Sequence, residues 1–501
     1  MHTEDSLLDS CTNYKLYVDK AVELGQKAIC FTEHGNTYNN IEKKMYCNQY
    51  RLKVNGKILG FTSDNDRSQY IDKNGLGNFE LIAPLKYMHG VEIYLTSTLD
   101  EKVRDNYHTI LIAKNFEGIK EINTLVDLST RPDHMYYKPR ITFDEFFNIS
   151  DNVIKISACL ASPLNKFPNS ANALYDEINA LENEKKEKEE QTRAFLNDID
   201  MENKWVSSYN DGIDLIIPPW CTGEYSNPHE AYIDYISNQI KDIIKDYDGK
   251  VLELKDKIER AKIIYDKLLY TYDYYEIQPH VKSLDQIKYN KMLYEAAKQY
   301  HKPLIAGTDT HSINSYKAEC RSILQKAKHI EFTNEDEYDL TYKSYDELVE
   351  MFRQQGALPT DVILEAIENT NRMAASVEDY ELDTSFKYPV LYDDEEQVFV
   401  ERIYRMYHEK LKNGIIQSDP RYEENIHEEL RVFKKIGMIG FMLFMSELVV
   451  WCWENGIPVG PCRGSVGGST IAYLTDITDV DPIVWNTVFS RFANEDRKEI
   501  G

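Results

Sequence analysis

Short apolar runs rich in β-branched residues, each stopped by turn-forming residues, recur through the first part of the chain. They lie at Ala28 to Thr32, Gly90 to Leu95, Thr109 to Ala113, Val153 to Ser157, Tyr274 to Gln278 and Pro303 to Gly307, and they predict strands. Between them apolar residues recur three and four apart, as in Tyr14 to Leu24 and Tyr289 to Tyr300, which predicts amphipathic helices. Strand alternating with helix predicts an α/β fold, either a parallel barrel or a doubly wound sheet.

Two stretches break the alternation. Residues 170–272 read as an insertion, because the mixed-charge run Glu182 to Glu190 and the segment Ile240 to Leu269 both carry helical spacing. An antiparallel helical hairpin with a solvated charged face is expected, with Ile217-Pro218-Pro219-Trp220-Cys221 at its tip. Residues 52–82, dense in Asp, Asn and Gly, read as a smaller surface excursion. After Ser312 the pattern turns helical, through Cys320 to Gln325, Tyr345 to Phe352 and Leu364 to Met373. The longest apolar stretch, Met438 to Trp453, contains Ser446 and Glu447 and predicts a buried helix, not a membrane span. These shifts divide the chain into residues 1–315 and 316–501.

Charge narrows the function classes. The 501 residues carry 84 acidic against 58 basic side chains, a net charge of −26. A duplex-binding surface shows basic excess; net charge is an average and leaves room for a local basic cleft, but most of any grip on duplex is expected outside this chain. The eight cysteines include no Cys-x-x-Cys pair, which argues against a disulfide framework or a zinc ribbon. The N-terminus is polar and acidic, unlike a signal peptide, and a cytoplasmic location is expected.

Candidate chemistry gathers in two places. Glu33-His34 follows the first predicted strand, Glu92 lies in the second and His108 opens the third. Cys159 follows the fourth strand, Asp309-Thr310-His311 the sixth, and His2 stands near the N-terminus. Such His, Asp, Glu and Cys donors suit Zn²⁺ or Mn²⁺, and strand ends are where barrel sites form. Near the other end, Gly460-Pro461 breaks an element and Gly464 lets the backbone approach a ligand. Ser465 is placed to cap a helix, and Arg463 adds a planar cationic fork suited to phosphate. Asp479-Val480-Asp481 has the shape of a metal-binding pair, but Asp481 precedes Pro482 and reads as a helix cap.

Longer strings carry a resemblance. Leu430 to Phe441, Trp451 to Gly468, Ile477 to Pro482 and Phe489 to Phe492 resemble the palm of the C-family polymerases, the bacterial replicative DNA polymerase III alpha subunits. Met1 to Glu4 with Ser6 to Asp9, Thr32 to Asn36, Gly90 to Tyr94, Tyr107-His108 with Ala113 to Asn115, Tyr137 to Ile141 and Thr308 to His311 resemble the polymerase-and-histidinol-phosphatase (PHP) domain that opens them. The resemblance implies a PHP-type distorted (β/α) barrel with a helical insertion. A mostly helical segment and the start of a nucleotidyltransferase-like palm would follow.

By the same resemblance, His2, Glu33, His34, Glu92, His108, Cys159, Asp309 and His311 would hold Zn²⁺ or Mn²⁺ for a 3′–5′ exonuclease or phosphoesterase. Two departures stand out: the first histidine of the family's His-x-His is absent, and Glu33 replaces an aspartate. Arg463, Gly464 and Ser465 would contact the triphosphate of the incoming nucleotide, with Cys462 in place of a family glycine. The family's catalytic Asp-x-Asp pair would follow Gly501, so Mg²⁺ for polymerisation would be held beyond this chain, which alone is expected not to polymerise. The implied partners are primer–template DNA, deoxynucleotides, the C-terminal remainder of the polymerase, a sliding clamp and the replisome, and no membrane. A stand-alone PHP metallophosphoesterase and an inert scaffold half of a split polymerase remain as alternatives.

Overall fold

The ten strands found among the described residues of the computed structural model lie in residues Met1–Glu381, the first of two units into which the chain divides; the second is Leu382–Gly501. The structure describes residues 1–100, 103, 105–210, 228–330, 338–383 and 389–495. In chain order the strands are β1 (Ala28–Phe31), β2 (Tyr50–Val54), β3 (Lys57–Phe61), β4 (Phe79–Ile82), β5 (Lys86–Thr96), β6 (Tyr107–Ala113), β7 (Arg140–Thr142), β8 (Val153–Ile156), β9 (Tyr275–Ile277) and β10 (Leu304–Ala306).

β5 is the hub, buried along nearly its whole length. It runs parallel to β1 and to β7 and antiparallel to β6, which in turn pairs antiparallel with β8. A parallel bridge from Ile156 to Tyr274 leads to β9, which pairs parallel with β10. The first residues of the chain then close the ring. Thr32 N–H donates to the Met1 carbonyl at 2.9 Å, and His2 N–H donates to the Thr310 carbonyl at 2.8 Å. A distorted barrel results. It is not all parallel, because only residues 97–106 separate β5 from β6, too few for a crossover helix, and β6 returns antiparallel.

The period-two alternation of β5 decides what faces the site. Val91, Ile93 and Leu95 enter the large core shared with Leu111, Tyr275, Leu293 and Leu304. Met88 meets Ile112, Ile154, Ile156 and Ile305 in a separate cluster inside the ring, which leaves Glu92 and Tyr94 on that inner face.

Both departures from the alternation are present. Helices Pro163–Ala194 and Pro228–Thr271 pack antiparallel, with Ile178, Val251, Leu254 and Ile258 between them and Lys185 paired to Asp248 at 2.7 Å. The expected tip at residues 217–221 lies outside the described residues. The smaller excursion has its own architecture, an antiparallel sheet ordered β3-β2-β4 with helix Asp64–Asn74. Leu52 is buried there, but polar neighbours hide the alternation in the sequence.

The division at residue 315 moves. Helices Tyr345–Gln355 and Thr360–Ser376 bury Val349, Phe352, Ile363 and Ala366 in the barrel's own core, and Asn369 donates to the Leu304 carbonyl at 2.8 Å. The first unit therefore runs to Glu381. A fragment ending at Glu381 should fold with a cooperative urea transition, whereas one ending at Ser315 exposes this core and should show none.

Among its described residues the second unit is helical. Helices Glu395–Lys412, Pro420–Ile436 and Ile439–Glu454 surround Phe399, Ile403, Ile426, Phe433, Leu443 and Ile471. Gly437, at φ +71°, ends the second helix in a left-handed cap, and the chain bends by 114° into the third. That third helix is not buried all round: Trp451 and Trp453 are 54% and 50% exposed within this unit. No single helix among the described residues is long and apolar enough to cross a membrane.

The short helix Thr470–Leu474 is anchored by a buried carboxylate. Glu429 accepts from the Ser469 hydroxyl at 2.6 Å and from the N–H groups of Thr470 and Ile471 at 2.7 and 3.0 Å. Burial pushes its carboxyl up to about 7, against the pull of these donors. A folded pKa above the ordinary 4.5 means its contribution is complete below that pH and lost as pH rises through 7. The loss is on the order of 3 kcal/mol. Urea unfolding followed by tryptophan fluorescence should therefore weaken between pH 4.5 and 7, and Glu429→Gln should flatten that slope.

Candidate metal centre and phosphate-binding loop

Seven of the eight predicted metal-binding side chains meet at one end of the strand ring. His2 comes from the N-terminal segment, His34 from the extension of β1, Glu92 from β5 and His108 from β6. Cys159 follows β8, and Asp309 and His311 follow β10. Backbone strain marks this end: Leu8, Ala158 and Asp309 hold φ values of +67°, +61° and +46°, and each is, or adjoins, a residue of the cluster.

The His2 ring stacks between His34 and His311, with centroids 4.1 and 4.4 Å away. Its Nε2 lies 3.6 Å from Glu92 Oε2 and 3.4 Å from Asp309 Oδ1. Glu92 Oε1 takes His34 Nδ1 at 3.0 Å and His108 Nδ1 at 2.8 Å, and Cys159 Sγ lies 3.7 Å from that same His108 nitrogen. Two triads, His2–His34–His311 and His2–Glu92–Asp309, bring ligand atoms within 4.8 Å of one another.

The electrostatics follow from burial opposed by neighbours. Burial and the adjoining His34 and His311 lower the His2 pKa. Burial opposes the charged form of His34, yet Glu92 and Asp9 raise it to about 10. Burial would raise Glu92, but His108 and His34 hold its carboxyl well below the usual range. Burial, with Asp309 and Glu92 close by, drives the Cys159 thiol well up. Imidazoles and carboxylates converging in a buried cup are the donor set of a divalent metal, and the residues fit one.

Glu33 is the exception. Its carboxylate accepts from the Thr3 hydroxyl at 2.7 Å, the Ser6 hydroxyl at 2.6 Å and Lys43 Nζ at 2.7 Å, away from the triads. The methylene that distinguishes Glu from Asp carries it to the buried Lys43, which holds it at about 2 against the effect of burial. Its place is behind His2: the Ser6 hydroxyl, spent on Glu33, accepts from His2 Nδ1 at 3.1 Å and leaves Nε2 free for a ligand.

Asp9 was not among the predicted ligands. Its Oδ2 lies 2.8 Å from His34 Nε2 and 3.1 Å from His311 Nε2, while Arg321 and Gln325 grip Oδ1. It sits on an irregular segment, and only its adjacency to the Ser-Leu-Leu stretch could have flagged it. A cavity of about 410 Å³ opens beside the cluster, with His280, Gln286, Tyr338, Lys166 and Arg321 in its wall.

In the second unit Arg463, Gly464 and Ser465 lie together, all exposed. Gly464 has φ +69° and starts a 3₁₀ turn, Gly464–Gly468. A Cβ on Gly468 would fall 2.5 Å from the Val488 carbonyl, so the turn packs against that segment only with glycine there. The helix cap expected at Ser465 is formed instead by Ser469, because Glu429 fills the start of that helix. Cys462 is accommodated by Gly467, whose added Cβ would sit 2.9 Å from its sulfur. Asp481 caps helix Pro482–Trp485 through Ile483 N–H at 2.9 Å, the structural role its proline predicts. Residues 496–501 lie outside the described residues.

Comparison with known proteins matches both ends. The PHP domain family matches residues 1–199, and the family described as the bacterial DNA polymerase III alpha NTPase domain matches residues 397–501. The DNA polymerase III subunit alpha of Aquifex aeolicus is 27% identical over 514 residues, covering 99% of this chain and 35% of that protein. Those of Borreliella burgdorferi and Helicobacter pylori strain J99 are 24% and 23% identical, again over 99% of this chain and 34% of each relative. The chain spans about a third of the length of the curated relatives it matches. A PHP domain match at one end, an alpha NTPase domain match at the other and relatives of one name along nearly its whole length make the chain similar to the N-terminal part of DNA polymerase III alpha subunits.

Proposed function

We propose that the first unit is a divalent-metal phosphoesterase acting on the 3′ end of a nucleic acid strand, within the N-terminal part of a replicative DNA polymerase. The convergence of His34, His311, Glu92 and Asp309 on His2 carries this reading. Zn²⁺ or Mn²⁺ suits that donor set. Such an ion, when bound, polarises a phosphoryl oxygen and makes bound water a nucleophile near neutral pH. The other tasks fall to named side chains. His2, His34, Glu92, His108, Cys159, Asp309 and His311, joined by Asp9, hold the metal; Ser6 and Glu33 keep the His2 ring oriented. Arg321 fixes Asp9, and with Lys166 it lends the cavity wall positive charge for a phosphate.

The second unit supplies Arg463, Gly464 and Ser465 for the triphosphate of an incoming deoxynucleotide. Mg²⁺ for nucleotidyl transfer is then held by aspartates beyond Gly501. Primer–template DNA, the rest of the polymerase, a sliding clamp and the replisome are its partners. The family match over residues 397–501 and the names of the relatives support this part.

After chelation and reloading with Zn²⁺ or Mn²⁺, the chain should retain metal through gel filtration and shorten single-stranded DNA from its 3′ end. His34→Ala and Asp309→Ala should abolish both. Ser6→Ala removes no ligand and should weaken metal affinity roughly 10- to 100-fold. A wild-type chain that keeps no metal after reloading would sink the phosphoesterase reading. Arg463→Ala should weaken deoxynucleotide binding, measured by equilibrium dialysis, on the order of tenfold; unchanged binding would remove the phosphate role of the loop.

A further inference from the structure

Beside the metal centre the chain reverses at Tyr136-Tyr137-Lys138, and the chemistry proposed above makes no use of this turn. Its support is rigid. Arg140 opens β7 in register with Tyr94 of β5, and its buried guanidinium donates to the His134 carbonyl at 3.3 Å and the Val103 carbonyl at 2.7 Å. The same guanidinium lies 5.3 Å from the centre of the Tyr136 ring. Tyr136 N–H donates to the Lys138 carbonyl at 3.2 Å, which places Tyr137 at the tip of the turn.

Tyr137 is unusual in two respects. Its backbone is left-handed at φ +60°, a region that a bulky side chain rarely occupies and that gathers at functional sites. Its side chain is 67% exposed, held edge-on to Tyr136 at 4.7 Å, so the strain secures little burial. The turn is also tied to the metal-binding residues from two sides. Pro139 abuts Gly35, the residue after His34, where an added Cβ would fall 2.4 Å from the proline ring. Lys138 Nζ lies 5.2 Å over the Tyr94 ring, and Tyr94 meets His108 edge-on at 5.0 Å.

We propose that Tyr137 and Lys138 form a positioning platform for single-stranded nucleic acid, with a base stacked on the Tyr137 ring and a phosphate paired with Lys138. The platform leads the strand to the metal centre, and in this it rests on the phosphoesterase reading. An exposed ring accepts any base on its face and is sequence-tolerant, whereas a small phosphomonoester has no need of one. A lysine beside it adds a salt-dependent contact to the backbone. Arg140 and Tyr136 hold the ring in place before the strand arrives, which lowers the cost of ordering it on binding.

The test is equilibrium binding of the full chain to a fluorescein-labelled oligothymidylate and to an abasic strand of equal length. Wild type should bind the base-bearing strand more tightly by roughly 5- to 150-fold. Tyr137→Ala should erase that preference, and Tyr137→Phe and Tyr137→Trp should restore it. Tyr137→Gly, which relaxes the left-handed backbone as it removes the ring, should behave like Tyr137→Ala. Lys138→Ala should weaken both strands alike and reduce the slope of log affinity against log salt by about one. Equal binding of both strands by wild type, or a preference that survives in Tyr137→Ala, overturns the platform. Metal content measured on the same samples separates the two readings: base-dependent binding by a chain that takes up no metal supports the platform and defeats the phosphoesterase.

Discussion

Two backbone hydrogen bonds made by the first residues hold the strand ring shut, Thr32 to Met1 and His2 to Thr310. Without them β1 and β10 would each present an open edge, and the ring would have no reason to close. These bonds also bring the His2 imidazole between His34 and His311, within reach of Glu92 and Asp309. Closure and assembly of the buried histidine and carboxylate cluster are therefore one structural event. Residues distant in the chain, such as His2 and His311, become neighbours only when it happens.

That arrangement places several ionisable groups out of water, which is costly unless each finds a partner. The groups are matched in pairs. Lys43 answers Glu33 and Asp5 behind His2, Arg321 answers Asp9, and His34 with His108 answers Glu92. Strained backbone at Leu8, Ala158 and Asp309 sits at the places where the chain must turn these groups inward. The surrounding core overrules the local preference, since Val91, Ile93 and Leu95 and the helices that cover them leave β5 no alternative register. The Tyr137 turn uses the same support, because its root, Arg140, is in register with Tyr94 on that strand.

The second unit solves a related problem with one buried carboxylate. Glu429 fills the start of helix Thr470–Leu474, so the glycine turn before it stays outside the helix and presents Arg463, Gly464 and Ser465 at the surface. A side chain of the protein thus occupies the helix terminus, and the turn and the arginine stay outside it.

Much of this was legible in the residue pattern. Apolar runs bounded by turns marked six ring strands to within a residue or two, except that β5 begins earlier and β6 begins at Tyr107, because a strand's register depends on its neighbours as well as on its own residues. Helical spacing marked the long hairpin, and His, Glu, Asp and Cys at strand ends marked seven of the side chains that gather at one end of the ring, since alternation and strand termini are local properties. Asp9 escaped because an irregular segment has no period to read. Glu33 stands apart from the triads because one methylene decides whether its carboxylate meets His2 or Lys43, and that is a distance in space. The cap moved from Ser465 to Ser469, and the unit boundary from 315 to 381, for the same reason: Glu429 and the barrel core reach across long stretches of chain to choose them. The sequence by itself determined the elements and the kinds of donor they carry. Which donors face one another was decided only by tertiary structure, because that choice depends on ring closure and on which buried charge lies within reach of which.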